Sequence, residues 1–559
     1  MDTVAMRLRQ AIYCLASPLI LGAMVSGVLH YSPVPFWDMW DGGLNFLMRF
    51  EDTPSQVLFE QHNEHRIFWS RLLFLIDYKV FGGRHIFLLV INYAFAFSAW
   101  YIFWRCLKRI NHGKVAERDL HLLAMMLGAW LFLWSQVTNF TWAFQSQFFL
   151  AQLVPLAAFL LLSKSAQEET KFSTTFLAAS VLGVASAGTM ANGALALPFM
   201  AVWAIILRLR WWQIGILSGL AALVMALYLS DYRAPGHHSS ALSTFLSHPV
   251  EVLIFVFKYL GNPLVHVISP YGPGTFLAGL LGLAMTVSAI ILTFGFVTKR
   301  PSDPITPGLT LFIIYIGATA FLTAGSRVFM GEVVPFSSRY TTPTVMAWAA
   351  LICLLSPWLF RHFEGSKTVR NWILAIATLL LVGMFIPLVR MSLPKPDQNH
   401  NRAAAVLALE LGIQDSAQIE YIYPHAEPVL RVADKATQAD LGIFGSPVFK
   451  GTRELIATPY EAVLPGSCSA AIESSEAIAA SENFVRVEGH MSGPGRRLYV
   501  LDADNKIIGI ALRGGRHALG KQDGFIGYVR ASEAGAITAL ASDSCIANLA
   551  SQDPKSRQD

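Results

Sequence analysis

Apolar runs long enough to cross about 30 Å of hydrocarbon as helix recur from residue 12 to residue 389. Their cores fall near 12–30, 85–105, 120–137, 145–162, 173–189, 193–207, 214–230, 275–297, 308–324, 343–359 and 372–389, which predicts about eleven membrane helices. The 173–189 and 193–207 pair is short and is joined between Gly188 and Gly193. The first run, Ala11 to Leu29, follows Arg7 and Arg9 as a secretory signal would. No small-residue cleavage site stands clear after it and more spans follow, so it reads as the first transmembrane helix. Three connections are long: 31–84, 231–274 and 325–342. Within them Leu44–Phe50, Ile67–Phe81 and Pro249–Leu260 have the amphipathic pattern of helices lying on a membrane surface.

After Arg390 the pattern changes. Pro394 and Pro396 mark a linker, and residues 402–411 and 434–442 read as helices. Phe484–Glu488, Arg497–Leu501, Lys506–Leu512 and Phe525–Arg530 are strand-forming runs separated by turn residues. The expected architecture is a polytopic α-helical domain, 1–390, followed by an α/β domain, 391–559, that ends in a small β-sandwich over about 463–549.

Composition narrows the class. Of 559 residues, 54% are hydrophobic and 14% charged, against about 25% charged in a soluble domain, so a purely soluble protein and a disordered one are both excluded. The net charge of +5 matters less than its distribution. With a cytoplasmic N-terminus, the inside connections carry Lys108, Arg109, Lys114 and Arg118, then Lys164 and Lys171, Arg208 and Arg210, Lys299 and Arg300, and finally Arg361, Lys367 and Arg370. Every even-numbered connection is basic, as the positive-inside rule requires, and everything after Leu388 falls outside. Cys468 and Cys545, the only cysteines of the C-terminal domain, then lie in an oxidising compartment and are expected to form a disulfide closing the sandwich. The other three cysteines sit in or beside apolar runs.

Candidate chemistry concentrates in the first outer loop. Phe36, Trp37, Asp38, Trp40 and Asp41 precede Gly42 and Gly43. Asp38 and Asp41 are three apart, so one helical turn would put both carboxylates on one face. Indoles beside them favour a desolvated carboxylate able to act as a base, and the glycines let a ligand approach the backbone. Acids and tryptophans are common at outer interfaces. Six consecutive polar side chains, Gln61, His62, Asn63, Glu64, His65 and Arg66, are harder to explain that way. The third outer loop adds Arg327, Glu332, Arg339 and Tyr340. An outer arginine is suited to bidentate phosphate binding or to snorkelling. His237, His238 and Lys258 are weaker candidates. Asn92, Gln136, Gln145, Gln147 and Gln152 lie near or within spans, where such groups satisfy one another between helices. Intramembrane carboxylates are nearly absent, which argues against an ion-coupled transporter.

This layout resembles the GT-C class of membrane glycosyltransferases. The resemblance lies in about eleven spans, a long first outer loop with Asp38 and Asp41 after the first helix, the polar residues His62, Glu64, His65 and Arg66, the late Arg339, and a C-terminal outer domain. It implies a polyprenyl-phosphate sugar donor and a periplasmic acceptor, either a cell-envelope glycan such as O-antigen or a protein. It also implies a bacterial inner-membrane location. The implied roles are Asp38, Asp41 and Glu64 in catalysis, and His62, His65, Arg66, Arg327, Arg339, Tyr340, Trp37 and Trp40 in substrate binding. A divalent cation, Mg or Mn, on Asp41 and Glu64 is one option. The Asp-x-Asp pair of some members is replaced here by Asp38-Met-Trp-Asp41, which leaves the base and the metal open. A lipid-linked glycan ligase or polymerase, and a flippase for such lipids, are the alternatives. No nucleic-acid partner is expected.

Overall fold

In hydrocarbon every backbone N–H and C=O must find its partner within the segment, so the apolar runs fold as helices. The computed structural model describes residues 3–169, 173–233, 241–268, 272–298, 303–461, 466–515 and 523–549. Among them, nine helical segments are long and apolar enough to cross a membrane: Thr3–Leu29, Ile86–Ile110, Glu117–Thr141, Ala143–Ser165, Trp211–Leu229, Pro273–Thr298, Ile305–Met330, Ser338–Gly365 and Lys367–Met391. The other two expected runs form the shorter apolar helices Thr174–Ser186 and Ala191–Ile206. Ala241–Ser247 and Pro249–Leu260 form a pair bent by 117°, with the break at His248, where the following proline disfavours helical backbone. His237, His238, Lys171, Lys299 and Arg300 lie outside the described residues.

The chain divides into two units. The helical unit comprises Met1–Tyr31, Ser55–Leu73 and Phe87–Leu393. The second comprises Ser32–Pro54, Phe74–Ile86 and Pro394–Asp559. The long first loop is therefore shared out: Asp38 and Asp41 belong with the C-terminal unit, and His62 to Arg66 with the helical unit.

Within the helical unit, 78% of the apolar window of Glu117–Thr141 is buried, against 22% for Pro273–Thr298, so the first is central and the second peripheral. Ile290, Ile291 and Phe294 on the peripheral helix are exposed, an arrangement suited to a hydrocarbon solvent and not to water. Polar tips inside the unit are spent on neighbouring helices. The Trp130 indole donates to Val345 O at 3.0 Å, Trp134 to Met391 O at 2.7 Å, and Tyr315 Oη to Ala151 O at 2.8 Å. Thr342 donates to Gln136 at 2.7 Å, and Asn92 to Asn139 O at 3.1 Å. Gln145, Gln147 and Gln152 are also buried, but their side-chain oxygens accept no hydrogen bond from any described residue.

The C-terminal unit holds strands β1 (Gly466–Ser467), β2 (Ala470–Ala477), β3 (Phe484–Met491), β4 (Arg497–Leu501), β5 (Ile507–Gly515), β6 (Gly524–Arg530), β7 (Ala539–Ser542) and β8 (Cys545–Asn548). They form one sheet in the order β1-β8-β7-β4-β5-β6-β3-β2, antiparallel except for β1 with β8. The sandwich expected over 463–549 is thus a single curled sheet. The reason is visible in β5, where Ile507 to Leu512 are all buried and need cover on both faces. In β4, Leu498 and Val500 join one core, closed by Val487, Phe525 and Leu540 of the sheet itself. Tyr499 and Leu501 join the other, which helices Gln398–Glu410 and Ala426–Gln438 fill with Val406 and Val429. Buried Asp415 anchors this second core: Arg486 Nη1 donates to both its oxygens at 3.2 and 3.0 Å, and Tyr528 Oη donates at 3.0 Å.

The expected Cys468–Cys545 disulfide is present, with Cα atoms 5.8 Å apart across 77 residues of chain. Gly493 lies against it with φ +103°, and a Cβ there would fall 2.5 Å from Cys468 Sγ. Mass spectrometry of the denatured, unreduced chain should find the three free thiols labelled and all five only after reduction. Cys545→Ala should lower the unfolding free energy of the C-terminal unit by about 4 kcal/mol, from the closed-loop entropy, measured by urea unfolding of the full chain.

Candidate functional site

In the helical unit the site starts from a tight turn. His62 and His65 exchange backbone hydrogen bonds at 2.7 and 2.8 Å, with Asn63 in left-handed conformation at φ 49°. This turn holds Glu64 at its tip. Arg327, at the end of Ile305–Arg327, donates from Nη2 to Glu64 Oε1 at 2.7 Å, with the two side chains 16% and 20% exposed. Arg327 also donates to the Tyr340 hydroxyl, and both Arg327 and Arg339 lie over the Tyr340 ring, at 5.8 and 5.4 Å. The Tyr259 ring packs against Tyr340 at 5.0 Å.

His65 completes this cluster. Its Nδ1 accepts the Ala191 N–H at 3.3 Å, so that nitrogen carries no proton, and Nε2 faces Glu64 at 3.5 Å. Burial pushes the imidazole down to about 4, with Arg327, His62 and Arg339 adding to the effect and Glu64 opposing it. His65 is thus neutral at pH 7 and fixed in one tautomer. His62 is buried, with its ring 5.3 Å from that of Phe144.

Arg339 differs from Arg327. Its carbonyl accepts from Asn139 at 3.0 Å, so its backbone is fixed. Its Nε is buried without a hydrogen-bond partner, and among the described residues no carboxylate pairs with it. The loop leading to it is held by Asn262, which donates to Pro335 O and Ser337 O at 3.0 and 3.2 Å, and by His266, which donates to Phe336 O at 3.1 Å.

Arg66 is committed elsewhere. It donates to Phe59 O at 2.6 Å, to Tyr228 O at 3.1 Å and to the Asp231 carboxylate, and it lies over the Tyr228 ring. It clasps the first loop to the end of Trp211–Leu229. Tyr228, Asp231, Ala191 and Tyr259 carry no signal in sequence spacing, because each meets its partner from a distant part of the chain.

In the C-terminal unit, Trp37 has φ 49°, a left-handed backbone rare for a bulky residue, and its N–H donates to Ile422 O at 2.9 Å. Asp38 lies in the 3₁₀ turn Trp37–Met39 and Asp41 in the π-helical turn Trp40–Asn45, a geometry concentrated at functional sites. Asn45 Nδ2 donates to Asp41 Oδ1 at 3.0 Å. The two acids do share a neighbour that the sequence reading missed, Tyr423, whose hydroxyl is pushed upward by burial and then by Asp41 and Asp38. Trp37 is exposed, whereas Trp40 is buried against Phe444.

Asp41 and Glu64, the option for a cation, fall in different units, and Glu64 is engaged by Arg327. Among the described residues no three His, Cys, Asp or Glu side chains group as a metal site.

Compared with models of known protein families and with curated proteins, the chain matches none.

Glu64→Gln strands the Arg327 charge, and should cost about 2 kcal/mol, reduced from the buried-pair value by partial exposure. A thermal melt in detergent measures the loss, and adding Arg327→Met should restore part of it. Because His65 is depressed to about 4, the unfolded chain takes up a proton between pH 6.5 and 4 that the fold refuses. Its contribution to stability is therefore complete above pH 6.5 and is lost as pH falls through that window. His65→Gln, which keeps an acceptor for Ala191, should flatten the fall of melting temperature with acidity. His400, also held near 4 by burial, supplies a slope of the same sign that remains.

Proposed function

We propose that the chain is a membrane glycosyltransferase that moves a sugar from a polyprenyl-phosphate donor to an acceptor outside the cytoplasm. The observation that carries this reading is Arg339, an arginine at the start of a membrane-length helix, fixed by its backbone and lacking a carboxylate among the described residues. Arg327 beside the same tyrosine is neutralised by Glu64, so the cluster keeps one net positive charge for a phosphate. A neutral His65 adds no second charge. Arg66, already bonded three ways, keeps the loop in place instead of meeting the donor.

In this reading the acceptor hydroxyl gives its proton to a carboxylate base. The hydroxyl oxygen bonds to the anomeric carbon, the bond from that carbon to the phosphate oxygen breaks, and the electron pair leaves on the lipid phosphate. Arg339 stabilises the charge that develops there. The lipid phosphate is already a good leaving group, so no nucleotide is needed. The disulfide supports an oxidising compartment for the C-terminal unit. With the basic connections, it favours a bacterial inner membrane, a cytoplasmic N-terminus and a periplasmic C-terminal unit.

The test is an assay of purified chain with a panel of polyprenyl-phosphate sugars and envelope glycans. Asp41→Asn or Asp38→Asn should abolish transfer while the melting temperature stays unchanged. Arg339→Ala should reduce kcat/KM about a hundredfold or more, as loss of a charge-stabilising donor does. Near-normal turnover in both aspartate variants rules out the base assignment. A donor panel that yields no transfer with the unmodified chain rules out the function.

A further inference from the structure

The C-terminal unit contains a cleft of about 530 Å³ between the turn Trp40–Asn45 and the helix Ala426–Gln438. Its size lies in the range of small-molecule sites. One wall carries Trp40, Asp41 and Asn45, and the facing wall Tyr423, Val432 and Lys435. Trp40 is 1% exposed, and its Nε1 is a buried donor with no acceptor among the described residues. A buried indole N–H without an acceptor is costly, and the residue that carries it lines the cleft. Val429 and Val432 give the cleft an apolar patch, while the carboxylates of Asp41 and Asp434, the Asn45 amide, the Tyr423 phenol and the cations of Arg431 and Lys435 surround it.

We propose that this cleft binds a saccharide. The chemistry is that of a sugar ring. Its C–H face needs an apolar and aromatic surface, and its hydroxyls need donors and acceptors spaced around that surface. Trp40 Nε1 donates to a ring or hydroxyl oxygen, and Asn45 and Tyr423 meet hydroxyls at the rim. The Asp41 carboxylate accepts from a further hydroxyl. The strained backbone at Trp37 and the π-turn at Asp41 are the local distortions that bring Trp40 and Asp41 to the same wall.

The experiment is saturation-transfer NMR on the full chain in detergent micelles with chitotetraose, maltotetraose, mannotetraose and tetragalacturonate. At least one should bind. Val432→Trp, which fills the cleft from a half-buried helix position, should remove the signal with unchanged melting temperature. Tyr423→Phe should weaken binding about fivefold, the worth of one hydrogen bond. Binding by none of the four, or equal binding by Val432→Trp, overturns the site. Binding that Val432→Trp removes, in a chain that transfers no sugar from any donor, keeps the saccharide site and discards the transferase reading.

Discussion

The ion pair between Glu64 and Arg327 is the interaction on which the helical unit's polar cluster depends. Two charges so little exposed stabilise each other, and removing either leaves the other's desolvation without its opposite charge. The pair therefore fixes the tip of the His62–His65 turn against the end of a membrane-length helix. It also dictates its neighbours. His65 must stay neutral beside Arg327, and the Ala191 N–H on its Nδ1 enforces that state. Tyr340 accepts from Arg327, and its ring carries Arg339 as well. Once Arg327 is neutralised, the second arginine defines the cluster's net charge.

The C-terminal unit is organised by a comparable constraint. Asp415 is buried under Arg486 and Tyr528 and also caps the short helix Ser416–Ile419 through the Gln418 N–H. One carboxylate thus joins a helix start to strands β3 and β6. The disulfide then ties Cys468, just after the edge strand β1, to the first residue of β8. Edge strands this short have little pairing energy of their own, so a covalent link there secures an edge that two residues of ladder would not. Around that frame the irregular turns at Trp37 and Trp40–Asn45 are tolerated because Ile422, Phe444 and Asn45 hold them.

Arg66 shows why residue type is a weak guide to role. An outer arginine beside histidines suits a phosphate, yet its donors go to Phe59 O, Tyr228 O and Asp231. Arg327 and Arg339 occupy adjacent places on one tyrosine, and only the reach of Glu64 separates a structural cation from one still able to attract an anion.

The nine membrane-length helices among the described residues were legible in sequence, because transfer into hydrocarbon is a sum over consecutive residues and needs no distant partner. The strands from Phe484 to Arg530 were legible through runs of strand-forming residues and the turn residues between them, which are also local signals. The Cys468–Cys545 pairing followed from there being only two cysteines outside the apolar part. Strand order was not legible: alternation says which face a side chain takes, not which strand lies beside it, so one curled sheet and a sandwich read alike. The division of the first loop between two units, and the pairing of Glu64 with a residue 263 positions away, were decided by tertiary structure alone. A carboxylate and a guanidinium carry no record of each other in sequence. Only the folded chain, by taking both from water, makes each the other's requirement.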